Sequence, residues 1–116
     1  MDRGDVVIAD FPFQDVPGSK VRPAVVVQND GDNQVLANTI LAMITGNLKD
    51  VGRPTNVLVD PATPDGAGTG LSGPSLIKCG NLATVRQQRV RRVIGRLSDV
   101  LQQQVNDALK AALELP

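Results

Sequence analysis

The sequence Arg22-Pro23-Ala24-Val25-Val26-Val27 places an apolar, β-branched run directly after a proline. β-Branched side chains are enriched in strands, and proline biases the residue before it toward an extended backbone. Residues 24–27 are therefore predicted to form a strand, with Arg22 extended at its entry. Similar runs bounded by Pro, Gly, Asn or Asp predict further strands at residues 6–11, 39–44 and 56–59.

The strand pattern continues toward the C-terminus, in residues 75–78, 82–85 and 90–94. Short strand candidates at this spacing suit a closed or nearly closed antiparallel sheet. The core must be almost wholly aliphatic, because the 116 residues include two Phe and no Trp or Tyr. These features favour a small β-barrel.

The last part of the chain has a helical pattern. Apolar residues recur there at three- and four-residue steps, which places them on one helix face: Leu101, Val105, Ala108, Leu109 and Ala112. Asp99 is the expected N-cap, with Gln102 three residues later in an approximate capping box. The sequence thus predicts one mainly β domain over residues 1–116, with a C-terminal helix packed on the barrel.

Composition and charge exclude several classes of function. Twelve Lys and Arg balance twelve Asp and Glu, so an RNA site would require local clustering of charge. The chain has no His and a single Cys, which removes imidazole chemistry, cysteine metal clusters and an internal disulfide. The charged N-terminus is unlike a signal peptide, and no stretch approaches the roughly 20 apolar residues of a membrane span. We therefore expect a cytosolic protein without a metal site.

Two short motifs resemble ligand sites but are predicted to be loops. Residues 68–73 fit the dinucleotide-binding GxGxxG pattern, yet they lead through Pro74 into a strand, whereas that pattern requires a helix. Residues 30–33 have the composition of a calcium-loop start but lack the later ligands, so a turn is expected.

The basic cluster of the sequence lies in residues 85–92, which hold four arginines, with Arg96 soon after. It could attract RNA phosphates or an acidic protein tail, and a solvated hairpin is the ordinary alternative. Because no aromatic residue lies beside it, recognition of bases would rely on hydrogen bonds and groove shape.

Arg22 and Thr45 are the residues best placed for chemistry. The strand after Arg22 gives its side chain a rigid base. Thr45 ends the apolar run 41–44 just before Gly46, so its hydroxyl could emerge where the backbone leaves the sheet. The ordinary alternatives are a surface salt bridge for Arg22 and an edge-strand threonine for Thr45.

Four segments together resemble the MazF/PemK toxin family: residues 3–7, 18–30, 42–45 and 93–98. The resemblance spans almost the whole chain and is most specific from Gly18 to Asp30. It implies an SH3-like barrel of the MazF/PemK/CcdB type that forms homodimers and cleaves single-stranded RNA at short sequences. It also implies neutralisation by a MazE-like antitoxin, whose disordered tail covers the RNA groove, and no need for a metal or cofactor.

Carried over onto this sequence, the resemblance implies that Arg22 and Thr45 are the catalytic pair and that Ser19 and Lys20 bind substrate. The implied reaction is attack by the ribose 2′-OH on its own phosphodiester, which leaves a 2′,3′-cyclic phosphate and a 5′-OH end. Arg22 would stabilise the phosphorane charge, and Thr45 would orient the phosphate or relay a proton. The sequence departs from many relatives in its short first loop, in Lys20 where an acid is common, and in Ala83 where an arginine is common.

Two other functions remain open from the sequence. One is a non-catalytic barrel toxin of the same fold that binds a protein such as DNA gyrase, and the other is a plain RNA-binding or scaffold barrel. The Arg22 and Thr45 match favours the ribonuclease. A dimer is expected to bury an apolar patch formed by one barrel edge and the terminal helix.

Overall fold

Six antiparallel strands and a C-terminal helix form the computed structural model, which describes residues 1–116. The strands are β1 (Asp5–Pro12), β2 (Ser19–Val26), β3 (Asn38–Thr45), β4 (Asn56–Val59), β5 (Ser75–Arg86) and β6 (Val90–Arg96). Their order across the sheet is β4-β5-β3-β2-β1-β6, so β4 and β6 are the edges. The helices are α1 (Asp30–Val35) and α2 (Asp99–Leu113), and 3-10 turns cover Ala67–Thr69 and Gln87–Arg89.

The sheet curls so that both of its faces are partly buried. The larger core lies between one face and α2, where strand residues such as Val25 and Ile77 meet Leu101 and Val105. The smaller core forms on the other face and joins Phe11 of β1 to Val85 of β5, although two strands separate β1 from β5 in the sheet. The prediction of a mainly β barrel with a C-terminal helix is therefore confirmed.

The prediction of two strands at residues 75–78 and 82–85 was wrong, because β5 runs without a break from Ser75 to Arg86. Its register against β3 pairs Ala42 with Leu82 but Met43 with Lys78, so residues 79–81 form a bulge. A bulge absorbs extra residues while the strand continues, which is why Gly80 resembled a turn in the sequence.

Two local predictions also need correction. Residues 30–33 lie in α1 rather than in a turn, because the Asn29 side chain accepts a 2.8 Å hydrogen bond from the Asp32 amide and so starts a helix. The N-cap of α2 is Ser98, not Asp99, since the Ser98 hydroxyl accepts from the Leu101 amide at 3.2 Å. Gln102 instead donates to the Arg3 carbonyl at 3.2 Å and ties α2 to the N-terminus.

The glycine-rich segment at residues 68–73 serves packing. A Cβ at Gly95 of β6 would lie 2.3 Å from the Thr69 carbonyl carbon, and one at Gly70 would lie 2.1 Å from the Ile94 carbonyl oxygen. Gly70 also has φ +73°, which L side chains rarely adopt. These glycines therefore allow the segment to lie directly against β6.

The single cysteine is structural. Cys79 is fully buried, and this burial raises the pKa of its thiol from the ordinary 9.0 to about 11, while Arg3 opposes the shift. The thiol therefore stays protonated at neutral pH and is a poor nucleophile. No helix of the structure has the length and apolar character needed to cross a membrane.

A buried polar network fixes α1 against the sheet. The Asn33 side-chain oxygen accepts from the Thr39 hydroxyl at 2.7 Å and from the Gln28 amide at 3.0 Å, and its nitrogen donates to the Gln28 carbonyl at 2.9 Å. The Gln87 amide closes the C-terminal end of α1 by donating to the carbonyls of Asn33 and Leu36 at 2.8 and 3.0 Å.

Asn33→Ala should lower the free energy of unfolding by about 2–4 kcal/mol, because it leaves buried polar groups without partners. Urea unfolding followed by circular dichroism measures this loss. The matched control is Gln34→Ala, at an exposed position of the same helix. Equal effects of the two substitutions would contradict a stabilising role for the network.

Candidate functional site

The fold brings Arg22, which lies within β2, next to Thr45, the last residue of β3. The β2–β3 register pairs Ala24 with Met43, so two residues further along each strand Arg22 and Thr45 belong to the same face of the sheet. Both residues line a cavity of about 260 Å³, together with Lys20 and Gly46. Three of the four predicted site residues therefore share one cavity.

Thr45 presents its hydroxyl beside this cavity. The side chain is half-buried, and its Oγ1 accepts a 3.1 Å hydrogen bond from the Asn47 amide, which fixes the oxygen. The hydroxyl proton is not used in that bond, so it can be donated to an anionic oxygen in the cavity.

Arg22 carries a positive charge without a carboxylate partner. The ion pairs of the structure are Lys78–Asp50, Arg91–Asp10 and Arg96–Asp5. The Arg22 guanidinium instead donates through Nη1 to the sulfur of Met43 at 2.8 Å. Because a thioether is a weak, neutral acceptor, it orients the guanidinium without neutralising it. The salt-bridge alternative for Arg22 is therefore not what the structure shows.

A groove extends from Arg22 along the sheet. One cavity of about 440 Å³ is lined by Phe13, Arg22 and Met43, and an adjoining one of about 340 Å³ is lined by Arg53 and Lys78. Gln14 and Asn81 line both cavities, so we describe the two together as the Arg22 groove. Asn81 also donates to the Met43 sulfur at 3.3 Å, which links the two cavities at the residue that orients Arg22.

Sequence reasoning missed Arg53, Lys78 and Asn81 as groove residues. They lie in two segments that are well apart in the chain and become neighbours because β4 pairs with β5. Only the β5 bulge at residues 79–81 directs Asn81 toward Met43. The one feature of the sequence that could have indicated Asn81 was the interruption of the strand pattern at Gly80-Asn81.

Ser19 lies apart from the Arg22 groove. It lines a separate cavity of about 420 Å³, together with Arg86 and Arg89 from the basic cluster. The other arginines of that region differ, because Arg91 and Arg96 pair with acidic residues of β1. The basic cluster of the sequence is thus divided into neutralised and unpaired arginines.

The fold and the site define a curled antiparallel barrel with a polar groove beside Arg22, and comparisons with known proteins agree. A family model described as PemK-like, MazF-like toxin of type II toxin–antitoxin system matches residues 2–113. Endoribonuclease MazF of Staphylococcus saprophyticus is 32% identical over 99% of this chain and 92% of its own length. The chain therefore belongs to the PemK-like, MazF-like toxin family.

Solved structures support the same assignment. Mycobacterium tuberculosis toxin MazF-mt6 is 28% identical with a TM-score of 0.76, over 97% of this chain and 98% of that one. An endoribonuclease in complex with its cognate antitoxin, from a mycobacterial species, is 23% identical with a TM-score of 0.77, over 100% of this chain and 97% of that one. The latter likeness shows the fold, and the resemblance drawn from residues 18–30 is confirmed at the level of the family.

Met43→Leu should increase the mobility of the Arg22 guanidinium, because leucine keeps the volume of the side chain but offers no acceptor. The ¹⁵N order parameter of Arg22 Nε, assigned by its loss in Arg22→Lys, is the measurement. We expect a clear decrease in Met43→Leu and none in Val21→Leu, a substitution at an exposed position next to Arg22. An unchanged order parameter in Met43→Leu would show that the thioether does not hold the guanidinium.

Proposed function

We propose that this chain is the toxin of a type II toxin–antitoxin pair and acts as a sequence-specific endoribonuclease on single-stranded RNA. The observation that carries the proposal is the Arg22 guanidinium, which forms no ion pair and lines one cavity with Thr45. The 32% identity to an endoribonuclease MazF over nearly the whole chain supports the same activity.

In the proposed reaction the RNA supplies the nucleophile. The ribose 2′-oxygen attacks the adjacent phosphorus and loses its proton to water, while the bond from phosphorus to the 5′-oxygen breaks and that oxygen takes up a proton from water. The products are a 2′,3′-cyclic phosphate and a 5′-OH end, and no redox change or metal is needed for the balance.

The proposed role of Arg22 is to stabilise the negative charge of the five-coordinate phosphorane. Its forked donor set matches two phosphate oxygens, and its charge is not neutralised by a neighbouring carboxylate. Thr45 donates its hydroxyl proton to the phosphate and keeps it in line, since its oxygen is already fixed by the Asn47 amide. Lys20 lies in the same cavity and is proposed to attract the phosphate.

Sequence preference is proposed to arise in the Arg22 groove. Gln14, Asn56 and Asn81 line it with amide groups that can donate to and accept from base edges. Phe13 is 44% exposed and is the aromatic residue available for stacking on a base. Because only three amide side chains and one aromatic ring are available to contact bases, we expect the recognition sequence to be short.

We further propose that the chain acts as a homodimer through the edge strand β4 and α2. Leu58 of β4 and Leu113 of α2 are about half exposed, at 47% and 55%, and a cavity of about 520 Å³ lies between β4 and α2. Burial of such side chains across a two-fold axis would stabilise the pair.

Sedimentation is expected to show a dimer at micromolar concentration. Leu58→Arg should shift the protein to a monomer, because it places a charge in the proposed interface. A monomeric wild type would contradict the proposed dimer.

The proposed partner that controls the activity is a cognate MazE-like antitoxin with a disordered tail. The unpaired charge of Arg22 would attract an acidic tail as well as a phosphodiester, so the tail would compete with RNA for the Arg22 groove. Crosslinks from the tail to groove residues would support this arrangement, and crosslinks confined to other surfaces would contradict it.

Purified protein incubated with a long unstructured RNA in excess EDTA should cut it at a recurring short sequence and leave 5′-OH ends. Arg22→Ala should lower kcat/KM by about 10²–10³-fold, because it removes charge stabilisation of the phosphorane. Thr45→Val, which keeps the shape but not the hydroxyl, should lower it by about 10-fold or more. Mapping of the new ends measures site and chemistry together.

Arg92→Ala is the matched control, since Arg92 is an exposed arginine on β6 outside the ion pairs and the groove. It should retain wild-type kcat. A folded wild type that cuts none of a varied set of RNAs would refute the ribonuclease proposal and favour a toxin that binds a protein instead.

A further inference from the structure

A second cationic cavity lies on the other side of the β1–β2 hairpin. It has a volume of about 420 Å³ and lies where the end of β5 approaches the hairpin, with Ser19, Thr84, Arg86 and Arg89 in its lining. Pro12 lines both this cavity and the Arg22 groove. The hairpin therefore separates two neighbouring sites on one surface.

Arg86 and Arg89 leave this cavity strongly positive. Both side chains are exposed, neither takes part in an ion pair, and no Asp or Glu lines the cavity. The two guanidinium groups line one cavity and repel each other, because no acidic side chain separates them. An anion that binds between them removes this repulsion and is therefore stabilised.

The backbone holds the two arginines in place. Arg86 ends β5 with an extended backbone, and Arg89 ends the 3-10 turn Gln87–Arg89 that follows, so one short turn connects the two arginines that line the cavity. Gln87 anchors the turn, because its backbone amide donates to the Ala37 carbonyl at 2.8 Å and its side chain to the Asn33 carbonyl at 2.8 Å. The pair is thus presented by a fixed turn.

We propose that this cavity is a second phosphate-binding subsite, which takes a phosphodiester of the RNA strand away from the bond that is cut. The proposal rests on the ribonuclease function proposed above and adds to it a site outside the Arg22 groove. Two guanidinium forks and the hydroxyls of Ser19 and Thr84 offer several donors to one tetrahedral oxyanion. An RNA strand that crosses the hairpin at Pro12 would reach both sites.

A phosphodiester fits this cavity better than a protein carboxylate does. Both groups carry two charged oxygens, but those of a phosphodiester diverge tetrahedrally from the phosphorus, so one can face each arginine, whereas those of a carboxylate lie in one plane and match a single guanidinium fork. The repeated phosphates of RNA also allow one strand to occupy both sites, which raises the effective concentration at the second.

The proposal is tested with the double variant Arg86→Gln/Arg89→Gln and two RNA substrates. One is a long RNA, and the other is the shortest oligonucleotide around the mapped site that the wild type still cuts. For the long RNA we expect KM to rise by about 10-fold or more with kcat within about twofold, and for the short one no change. In titrations of an uncleavable long RNA, the slope of log Kd against log salt should fall by about 0.7, as expected for the loss of one phosphate contact from a single strand.

The matched control is Arg92→Gln/Lys110→Gln, which removes the same charge from exposed positions on β6 and α2. Equal thermal midpoints for all variants exclude a folding effect. Equal changes of KM and salt slope in the two double variants, or an equal loss on the short and long RNAs, would overturn the subsite while the ribonuclease proposal stands.

Two further outcomes separate the alternatives. Weaker binding of a glutamate-rich peptide by Arg86→Gln/Arg89→Gln, with unchanged binding of RNA, would assign the cavity to a protein carboxylate and overturn the phosphate subsite. A wild type that neither binds nor cuts RNA would refute the ribonuclease proposal, and the subsite with it.

Discussion

The pairing of β2 with β3 is the constraint on which the rest of the molecule depends. These two strands lie at the centre of the sheet and contribute to the cores on both of its faces. Ala24, Val25 and Ala42 in them are fully buried, with Ala24 in the smaller core and Val25 and Ala42 in the larger one. Arg22 lies within β2 and Thr45 ends β3, so the packing that closes the barrel also positions the proposed catalytic pair.

The sequence predicted those elements whose residues follow a regular local pattern of apolar side chains. The apolar run 24–27 and the three- and four-residue spacing in α2 predicted a central strand and a packed helix, and both are present. Arg22 and Thr45 could be chosen because each lies where an apolar run begins or ends. Thr45 does end β3, but the prediction that Arg22 stands at the entry of its strand was wrong, because β2 begins at Ser19 and the polar residues before the apolar run also pair with β1.

The parts that were not predicted depend on contacts between distant segments or on competition between neighbouring groups. Asn81 became a groove residue through a three-residue bulge, which looks like a turn until the partner strand is known. Ser98 rather than Asp99 caps α2, because both have suitable side chains and the entry of the chain into the helix decides between them. The use of a methionine to orient Arg22 leaves no sequence signal at all.

The division of the basic cluster gives a chain without net charge a local site for the proposed RNA substrate. Asp5 and Asp10 of β1 neutralise Arg96 and Arg91, which lie on the neighbouring strand β6. Arg22 lies on the other strand paired with β1, and the methionine beside it provides no countercharge. Because fields of exposed charges decay within about 10 Å at ordinary salt, these local differences matter more for RNA than the overall balance does. The ion pairs thus leave Arg22 on one side of the hairpin, and Arg86 and Arg89 on the other, without a paired acid.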